Sequence, residues 1–300
     1  MNAAPQMTEL RGNLLLDEPM SKHTTWRIGG PADRYYQPAD IDDLAAYLSQ
    51  LPAAEPVHWL GLGSNLLVRD GGVRGTVIAT SGVVNGLTQV DAHTVRAEAG
   101  VACAKVARFC ARAGLAGAEF LAGIPGTLGG ALAMNAGAFG GETWDVVRAV
   151  ETLDRQGQRH RRRPEEFEIS YRPVRGPQNE WFVAAELQLD ETGDPDLLQA
   201  RIKELLAKRG DSQPTSLPNA GSVFRNPEGD YAARLIEACG LKGSCEGRAC
   251  VSDKHANFII NTGGATARDV ETLIERVART VAAQQGVELQ REVHIMGESQ

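Results

Sequence analysis

Three polar side chains that are far apart in the chain could carry chemistry: Arg172, Ser222 and Glu292. An arginine can hold a planar carboxylate through two parallel hydrogen bonds, and a serine or a glutamate can move a proton. No G-x-S-x-G turn surrounds Ser222, which argues against a hydrolase nucleophile. By local sequence alone each residue is more often structural, as a surface arginine, a turn serine or a strand-edge glutamate. Both alternatives therefore stay open at this level.

A first glycine cluster, Gly61-Leu62-Gly63-Ser64-Asn65, directly follows the apolar run Val57–Leu60. Glycines after a strand let main-chain N–H groups approach an anion, and consecutive N–H groups form a concave anion site. Leu66 stands where the dinucleotide fingerprint of a Rossmann fold needs its third glycine. The cluster is therefore either a plain turn or a phosphate site of another kind.

A second cluster runs from Gly123 to Gly130 and continues through the small residues Ala133–Gly140. Its scarcity of polar side chains indicates a backbone pressed against a large flat surface, either another strand or the ring of an aromatic cofactor. Together the two clusters favour a bound dinucleotide, with one loop for the pyrophosphate and one for the ring.

The composition is that of a globular protein of one large or a few small domains, with 300 residues, 42% apolar and 23% charged. A net charge of −7 argues against a nucleic-acid partner. The basic run Arg159–Arg163 is expected to be a solvated turn. We expect a cytoplasmic protein with no membrane partner, because Met1–Arg11 lacks the order of a signal peptide and glycines interrupt the weakly charged stretch Gly114–Gly141. We expect tight turns in that stretch.

The five cysteines are odd in number and form no C-x-x-C pair, which predicts reduced thiols and no metal site. Hydrophobic periodicity and caps predict a mixed chain with a domain boundary near Asp190–Pro195 and with Arg291 and Glu292 in the last strand. The predicted helices are Asp40–Leu51, Val101–Ala113, Asp194–Arg209, Tyr231–Cys239 and Thr266–Gln285. The predicted strands are Val57–Leu60, Thr76–Thr80, Thr94–Ala99, Val146–Asp154, Trp181–Leu189 and Asn257–Asn261.

Motifs spread over nearly the whole chain resemble the UDP-N-acetylenolpyruvoylglucosamine reductase family. Each motif is weak alone, but their order from about Thr24 to Gly297 makes the resemblance specific. The segments that carry it are Thr25–Ala32, Gly61–Leu67, Gly123–Gly126, Met134–Ala138, Ser170–Arg172, Asn219–Pro227, Lys254–Phe258 and Glu292–Val293.

The resemblance implies an α+β fold. An FAD-binding module of the vanillyl-alcohol oxidase type, in two α+β parts over residues 20–192, is followed by a smaller α+β substrate domain over 193–300. It implies a monomer that uses FAD as cofactor and NADPH as co-substrate. The residues implied in FAD binding are Arg27, Gly61, Gly63, Ser64, Asn65, Leu66, Gly123, Ile124, Pro125, Gly126, Gly129, Asn135 and Gly137.

The resemblance also implies a reaction in peptidoglycan precursor synthesis. Hydride passes from NADPH to the flavin and then to C3 of UDP-N-acetylglucosamine enolpyruvate, which gives UDP-N-acetylmuramate. Arg172 would hold the substrate carboxylate, Ser222 would protonate C2, and Glu292 would polarise the same centre. The residues implied in substrate binding are Tyr171, Arg225, Asn226 and Lys254.

Two departures from the family pattern stand out. Phe139 replaces a tyrosine of many relatives, and the tyrosine-bearing inserted loop of the longer type is absent, so the chain resembles the shorter type. Two alternatives remain: a flavin-dependent oxidase of the same fold, and a nucleotide-sugar-binding module without catalysis. No His or Cys lies between Gly61 and Gly75 for covalent FAD attachment, which argues against the oxidase. A pure binding module needs no proton donor such as Ser222.

Overall fold

The computed structural model describes residues 9–169 and 174–300 and divides the chain into two compact units. The first unit comprises Met1–Leu15, Tyr35–Gly61 and Thr76–Leu206, and the second comprises Leu16–Arg34, Leu62–Gly75 and Ala207–Gln300. The units are interleaved along the chain, and the predicted domain limits, 20–192 and 193–300, stay a prediction.

The described residues form six α-helices, all five predicted ones among them with ends within a few residues of the predicted ends. The helices are α1 Ile41–Gln50, α2 Cys103–Arg112, α3 Leu128–Met134, α4 Pro195–Ser212, α5 Ala232–Ala238 and α6 Ala267–Gln285. Short 3-10 helices cover Met20–Lys22, Glu119–Gly123, Thr143–Val146 and Pro164–Glu166.

The strands include all six that the sequence predicts. They are β1 Asn13–Pro19, β2 Pro31–Gln37, β3 Val57–Leu60, β4 Leu66–Val68, β5 Val73–Ala79, β6 Leu87–Gln89, β7 Thr94–Glu98, β8 Gly137–Ala138, β9 Gly141–Glu142, β10 Val147–Asp154, β11 Arg159–Arg162, β12 Glu180–Gln188, β13 Cys245–Glu246, β14 Ala249–Val251, β15 Ile259–Asn261 and β16 His294–Met296.

The first unit contains an antiparallel sheet in the order β11-β10-β12-β7-β6. One face of this sheet contributes Val95, Ala97, Val150 and Leu187 to a core shared with α2 and α3. In a second core of this unit, Leu44 and Leu48 of α1 pack with Ile78 of β5, which pairs in parallel with β3. The sheet that contains β3 has the order β1-β2-β5-β3.

The basic run Arg159–Arg162 forms strand β11, so the predicted solvated turn is wrong. The strand pairs with β10. Arg161 forms an ion pair with Glu186 (2.6 Å), and Arg162 forms one with Glu180 (2.5 Å). The carboxylates stand on β12, on the far side of β10, so the long arginine side chains reach across one strand and the ion pairs stabilise an edge strand.

The second unit is built around α6, whose Thr266 side chain accepts from the N–H of Asp269 in the capping box that the sequence indicates. Val270, Leu273 and Ile274 of α6 pack in its core together with Trp26. The antiparallel sheet β13-β14-β15 and the parallel pair β4–β16 complete the unit.

Two further predictions are wrong. Part of the stretch Gly114–Gly141 forms α3 and a 3-10 helix, because its alanines and leucines supply a helical apolar face. Cys245 and Cys250 form a disulfide, since the β13–β14 hairpin places them directly opposite each other. Cys103, Cys110 and Cys239 are free. Within residues 9–169 and 174–300, no helix is both long and apolar enough to cross a membrane.

Candidate active site

Main-chain pairing within the second unit brings the segment after Ser222 against Glu292. Phe224 and Arg291 form an antiparallel bridge, and the N–H of Glu292 donates to the carbonyl of Val223 at 2.8 Å. Ser222 immediately precedes the paired segment, and both Ser222 and Glu292 are half-buried. Two of the three predicted catalytic residues therefore occupy neighbouring stretches of backbone.

Glu292 lies just before β16. The sequence predicted it inside the last strand, and this placement is wrong. Strand β16 pairs in parallel with β4, with His294 opposite Leu66. The N–H of His294 donates to the carbonyl of Asn65 at 3.1 Å, and Nδ2 of Asn65 donates to the carbonyl of Glu292 at 3.4 Å. The later part of the first glycine cluster therefore borders Glu292.

The N–H groups of Leu62, Gly63 and Ser64 donate to no acceptor among the described residues. The loop is held by its carbonyl side, where the N–H of Thr25 donates to Gly63 at 3.1 Å. Gly63 has φ +68°, and a Cβ there would lie 2.2 Å from the carbonyl oxygen of His23. The turn therefore requires glycine, and it leaves three successive donors for an anion.

The predicted substrate-binding residues differ in what they contact. Arg225 is half-buried, and its Nε has no hydrogen-bond partner within the described part of the chain. Asn226 is exposed, and its Oδ1 accepts from the N–H of Ala232 at 3.1 Å. Nζ of Lys254 donates to the carbonyl of Gly210 in the last turn of α4. Arg225 thus has a buried donor that no described residue accepts from, whereas Lys254 stabilises a helix end.

The second glycine cluster lies in the first unit. The carbonyl of Gly126 accepts from the N–H of Cys103 at 2.9 Å, and the N–H of Gly129 donates to Ala99 at 2.8 Å. A Cβ at Gly129 would lie 2.8 Å from Cβ of Ala99. A neighbouring segment of the chain therefore explains why glycine is required at this position. The sequence had left two explanations for the cluster, packing against protein or against a cofactor ring.

Protein atoms also surround other predicted cofactor residues of this unit. A Cβ at Gly123 would lie 2.4 Å from the Phe139 ring. The amide of Asn135 donates to Glu142 at 2.7 Å and accepts from the N–H of Trp144 at 3.2 Å. These contacts give the Asn135 side chain a structural role. Ile124 is buried, Pro125 is exposed, and Gly137 lies in β8.

Gly61 and Thr127 lie close together within the first unit. A Cβ at Gly61 would lie 2.4 Å from Oγ1 of Thr127. This hydroxyl is buried and has no hydrogen-bond partner among the described residues, although Thr127 is the N-cap of α3. A buried hydroxyl without a partner costs about 1–3 kcal/mol, which a bound acceptor would recover.

These donors fit FAD. Within the second unit, the N–H groups of Leu62, Gly63 and Ser64, which donate to no acceptor among the described residues, suit a pyrophosphate. Within the first unit, the Thr127 hydroxyl suits a carbonyl or phosphate oxygen. Arg27 is exposed in a turn with φ +58°. Tyr171 and Arg172 lie outside the described residues.

Sequence reasoning assigned no role to Thr127 or Asn257, whose side chains are both buried at functional segments. The signal for Asn257 was a lone amide between Ala256 and Phe258 in the motif Lys254–Phe258. Thr127 carried no comparable signal, because a threonine among glycines is typical of a turn.

Comparisons with known proteins agree with this arrangement. The family model described as UDP-N-acetylenolpyruvoylglucosamine reductase, C-terminal domain, matches residues 213–296, and an FAD binding domain model matches residues 32–162. The UDP-N-acetylenolpyruvoylglucosamine reductase of Alkalilimnicola ehrlichii is 62% identical over 289 residues, 96% of both chains. That of Methylococcus capsulatus is 59% identical over 299 residues, 100% of this chain and 98% of the relative.

The crystal structure of UDP-N-acetylenolpyruvylglucosamine reductase from Thermus caldophilus superposes with a TM-score of 0.81 at 34% identity, covering 96% of this chain and 100% of that one. The matches confirm the predicted α+β fold class with its FAD-binding module, FAD as the cofactor, and an oxidoreductase activity. By sequence, fold and matched domains, the chain belongs to the UDP-N-acetylenolpyruvoylglucosamine reductase family.

Proposed function

We propose that this protein reduces the enolpyruvyl group of UDP-N-acetylglucosamine enolpyruvate to UDP-N-acetylmuramate with NADPH, as a step of peptidoglycan precursor synthesis. One observation carries the proposal. Ser222, the proposed proton donor, adjoins backbone paired with Glu292, and Glu292 borders the loop whose three N–H groups donate to none of the described residues. This combination supports proton transfer close to a bound dinucleotide.

When bound, FAD would supply the hydride chemistry that connects NADPH with C3 of the substrate. Residues of the chain stabilise the negative charge that develops on the substrate. Negative charge appears at C2 and on the adjoining carboxylate, where Arg172 holds the carboxylate and Glu292 polarises the same centre. Ser222 donates a proton to C2 and completes the reduction.

A serine hydroxyl is a weak acid, so its transient alkoxide needs positive charge nearby. Arg225 lies three residues after Ser222, and its buried Nε has no hydrogen-bond partner among the described residues. We assign this guanidinium to stabilising the alkoxide or the substrate pyrophosphate. Tyr171, Asn226 and Lys254 remain proposed substrate contacts, and Nζ of Lys254 also donates to the carbonyl of Gly210 at the end of α4.

The experiment that tests the function uses the purified protein under anaerobic conditions. NADPH should bleach the flavin absorbance, and UDP-N-acetylglucosamine enolpyruvate should restore it in stoichiometric amount. Recovery with oxygen but not with the enolpyruvyl sugar would identify an oxidase instead. Binding of the sugar without recovery would identify a binding module.

Two properties accompany this function in our proposal. The reaction takes place in the cytoplasm, where both NADPH and nucleotide sugars are supplied, and the protein acts as a monomer. Sedimentation equilibrium at micromolar concentration tests the second property, since a mass of twice the 32.1 kDa chain contradicts it.

A further inference from the structure

The buried amide of Asn257 is bonded to the main chain of a single residue in the Ser222 segment. Its Oδ1 accepts from the N–H of Phe224 at 3.0 Å, and its Nδ2 donates to the carbonyl of Phe224 at 2.8 Å. The main-chain carbonyl of Asn257 accepts from the N–H of Val223 at 2.9 Å. Asn257 is only 3% exposed, so water cannot readily replace these bonds.

The opposite edge of the same segment is paired with the chain before β16. Val223 accepts from the N–H of Glu292 at 2.8 Å, and the N–H of Arg225 donates to Gln290 at 2.9 Å. In an extended chain the main-chain groups of adjacent residues face opposite edges, so Phe224 faces away from the edge at which Val223 and Arg225 pair with Glu292 and Gln290. The Asn257 side chain thus takes the hydrogen-bonding position of a third strand. It pairs with the N–H and C=O of Phe224, on the edge that does not face Glu292.

Asn257 is itself held in a closed loop between β14 and β15. The N–H of Ser252 donates to the carbonyl of Phe258 at 2.8 Å, and the N–H of Phe258 donates to His255 at 3.0 Å. The N–H of Asn257 donates to Nδ1 of His255 at 3.3 Å, and the rings of His255 and Phe258 pack edge-on at 4.8 Å. The amide is therefore presented by a well-connected element.

We propose that Asn257 is a positioning residue, which fixes the backbone after Ser222 so that its hydroxyl lies at proton-transfer distance from C2 of the substrate. This inference rests on the proposed function of Ser222. Asn257 acts through Phe224 and Val223 and touches no reacting atom. Proton transfer depends steeply on donor placement, whereas hydride transfer from NADPH requires no group of this segment.

The test compares Asn257→Asp with the native protein in two separate half-reactions. The carboxylate keeps the size and the acceptor but loses the donor to the Phe224 carbonyl, and this shifts the segment. Reoxidation of the reduced flavin by the enolpyruvyl sugar should slow by about 10- to 100-fold. FAD content and the rate of flavin reduction by NADPH should stay within about twofold. Asn257→Ala provides the same measurement if the carboxylate prevents folding.

Asn261→Asp is the matched control, because Asn261 is also a buried amide of this unit, and its Nδ2 donates to the carbonyl of Trp26 at 2.9 Å. This variant removes one donor of the same kind away from the Ser222 segment, so its reoxidation rate should stay native. The double variant Ser222→Ala with Asn257→Asp should be no slower than Ser222→Ala alone, since no hydroxyl remains to be placed.

Three outcomes overturn the inference. Equal slowing of both half-reactions in Asn257→Asp would show a general structural role. Native reoxidation in Asn257→Asp, together with slow reoxidation in Ser222→Ala, would remove Asn257 and leave the proposed function intact. If Ser222→Ala itself reoxidises at the native rate, the proton donor is wrong and the role of Asn257 fails with it.

Discussion

At the scale of single residues, the assignment of Ser222 depends on separating its step from the others. Ser222→Ala should accept hydride from NADPH at nearly the native rate, because that transfer involves no serine proton. Steady-state turnover should fall by about 10²- to 10⁴-fold, as is typical when a positioned acid is lost. Stopped-flow measurement of each half-reaction checks this.

Product formed by the native protein in heavy water should carry deuterium at C2, and deuterium at C3 would contradict the order of transfers.

Thr127 allows a test of cofactor contact that is independent of activity. Thr127→Val keeps the shape and removes a buried hydroxyl that has no partner among the described residues. The apoprotein should lose no stability, since an unpaired polar group is deleted and no cap bond exists at α3. FAD affinity should weaken about tenfold if the hydroxyl donates to FAD, the equivalent of one ordinary hydrogen bond. Unchanged affinity in a titration monitored by flavin fluorescence would contradict the contact.

His255 gives the Asn257 loop a defined pH dependence. Burial lowers the pKa of His255, and its neutral Nδ1 accepts from the N–H of Asn257. A depressed pKa means that the unfolded chain binds the proton more tightly, so this contribution to stability is present above the ordinary histidine pKa and is lost as the pH falls through the lowered value. Lys242 reinforces this lowering, and Glu237 opposes it.

His255→Gln should therefore reduce the loss of stability on acidification from about pH 7.5 to pH 5. Urea unfolding of both proteins at each pH gives the difference, in which the titration of common carboxylates cancels. The same slope in variant and native protein would show that His255 is not the group responsible.

At the scale of elements, the β13–β14 hairpin carries the disulfide Cys245–Cys250. Closing so short a loop removes unfolded-state entropy worth about 2 kcal/mol. Replacing both cysteines by serine should lower the free energy of unfolding by about that amount, and a reductant should have the same effect on the native protein. Cys239→Ser, at a free thiol of the same unit, is the control and should keep its response to the reductant. A native protein that is insensitive to reductant would contradict the prediction.

The elements that the sequence predicts well are those with a local signal. Helix α6 has apolar residues at helical spacing behind a capping box, and both features were visible in the sequence. Strand β11 was missed, because it is stabilised by pairing with β10 and by ion pairs to carboxylates of β12, which lie far along the chain. Helix α3 was missed, because its two glycines are typical of turns and outweighed the helical spacing of its Ala and Leu residues.

The candidate site shows the same division. The glycine clusters were found from the sequence, because backbone access needs glycine locally. Other parts of the site depend on contacts between distant segments, which no local pattern encodes. These are the pairing of Phe224 with Arg291, the hydrogen bond from Asn65 to Glu292, and the hydrogen bonds of the Asn257 amide. Motifs matched to a family therefore supplied the proposed catalytic residues, and the structure shows how the segments of Ser222 and Glu292 are held.

At the scale of the whole molecule, bound FAD should stabilise the folded protein. The purified protein should be yellow, with a flavin that heat or acid releases. A ligand that binds the native state adds RT ln(1 + [L]/Kd) to the free energy of unfolding, about 2.7 kcal/mol at one hundred times Kd. The apoprotein should therefore unfold at a lower temperature than the holoprotein, and added FAD should restore the midpoint in a concentration-dependent way. Because the chain forms two compact units, the transition should be followed by both circular dichroism and tryptophan fluorescence.

FMN is the control ligand, because it carries the flavin ring without the second phosphate and the adenosine. If the free N–H groups of Leu62, Gly63 and Ser64 bind a pyrophosphate, FMN should raise the unfolding midpoint much less than FAD at equal concentration. The same shift with both ligands would show that the ring alone is bound and that this loop has another role. No shift with either ligand, in a protein that is also colourless as purified, would contradict the cofactor assignment itself.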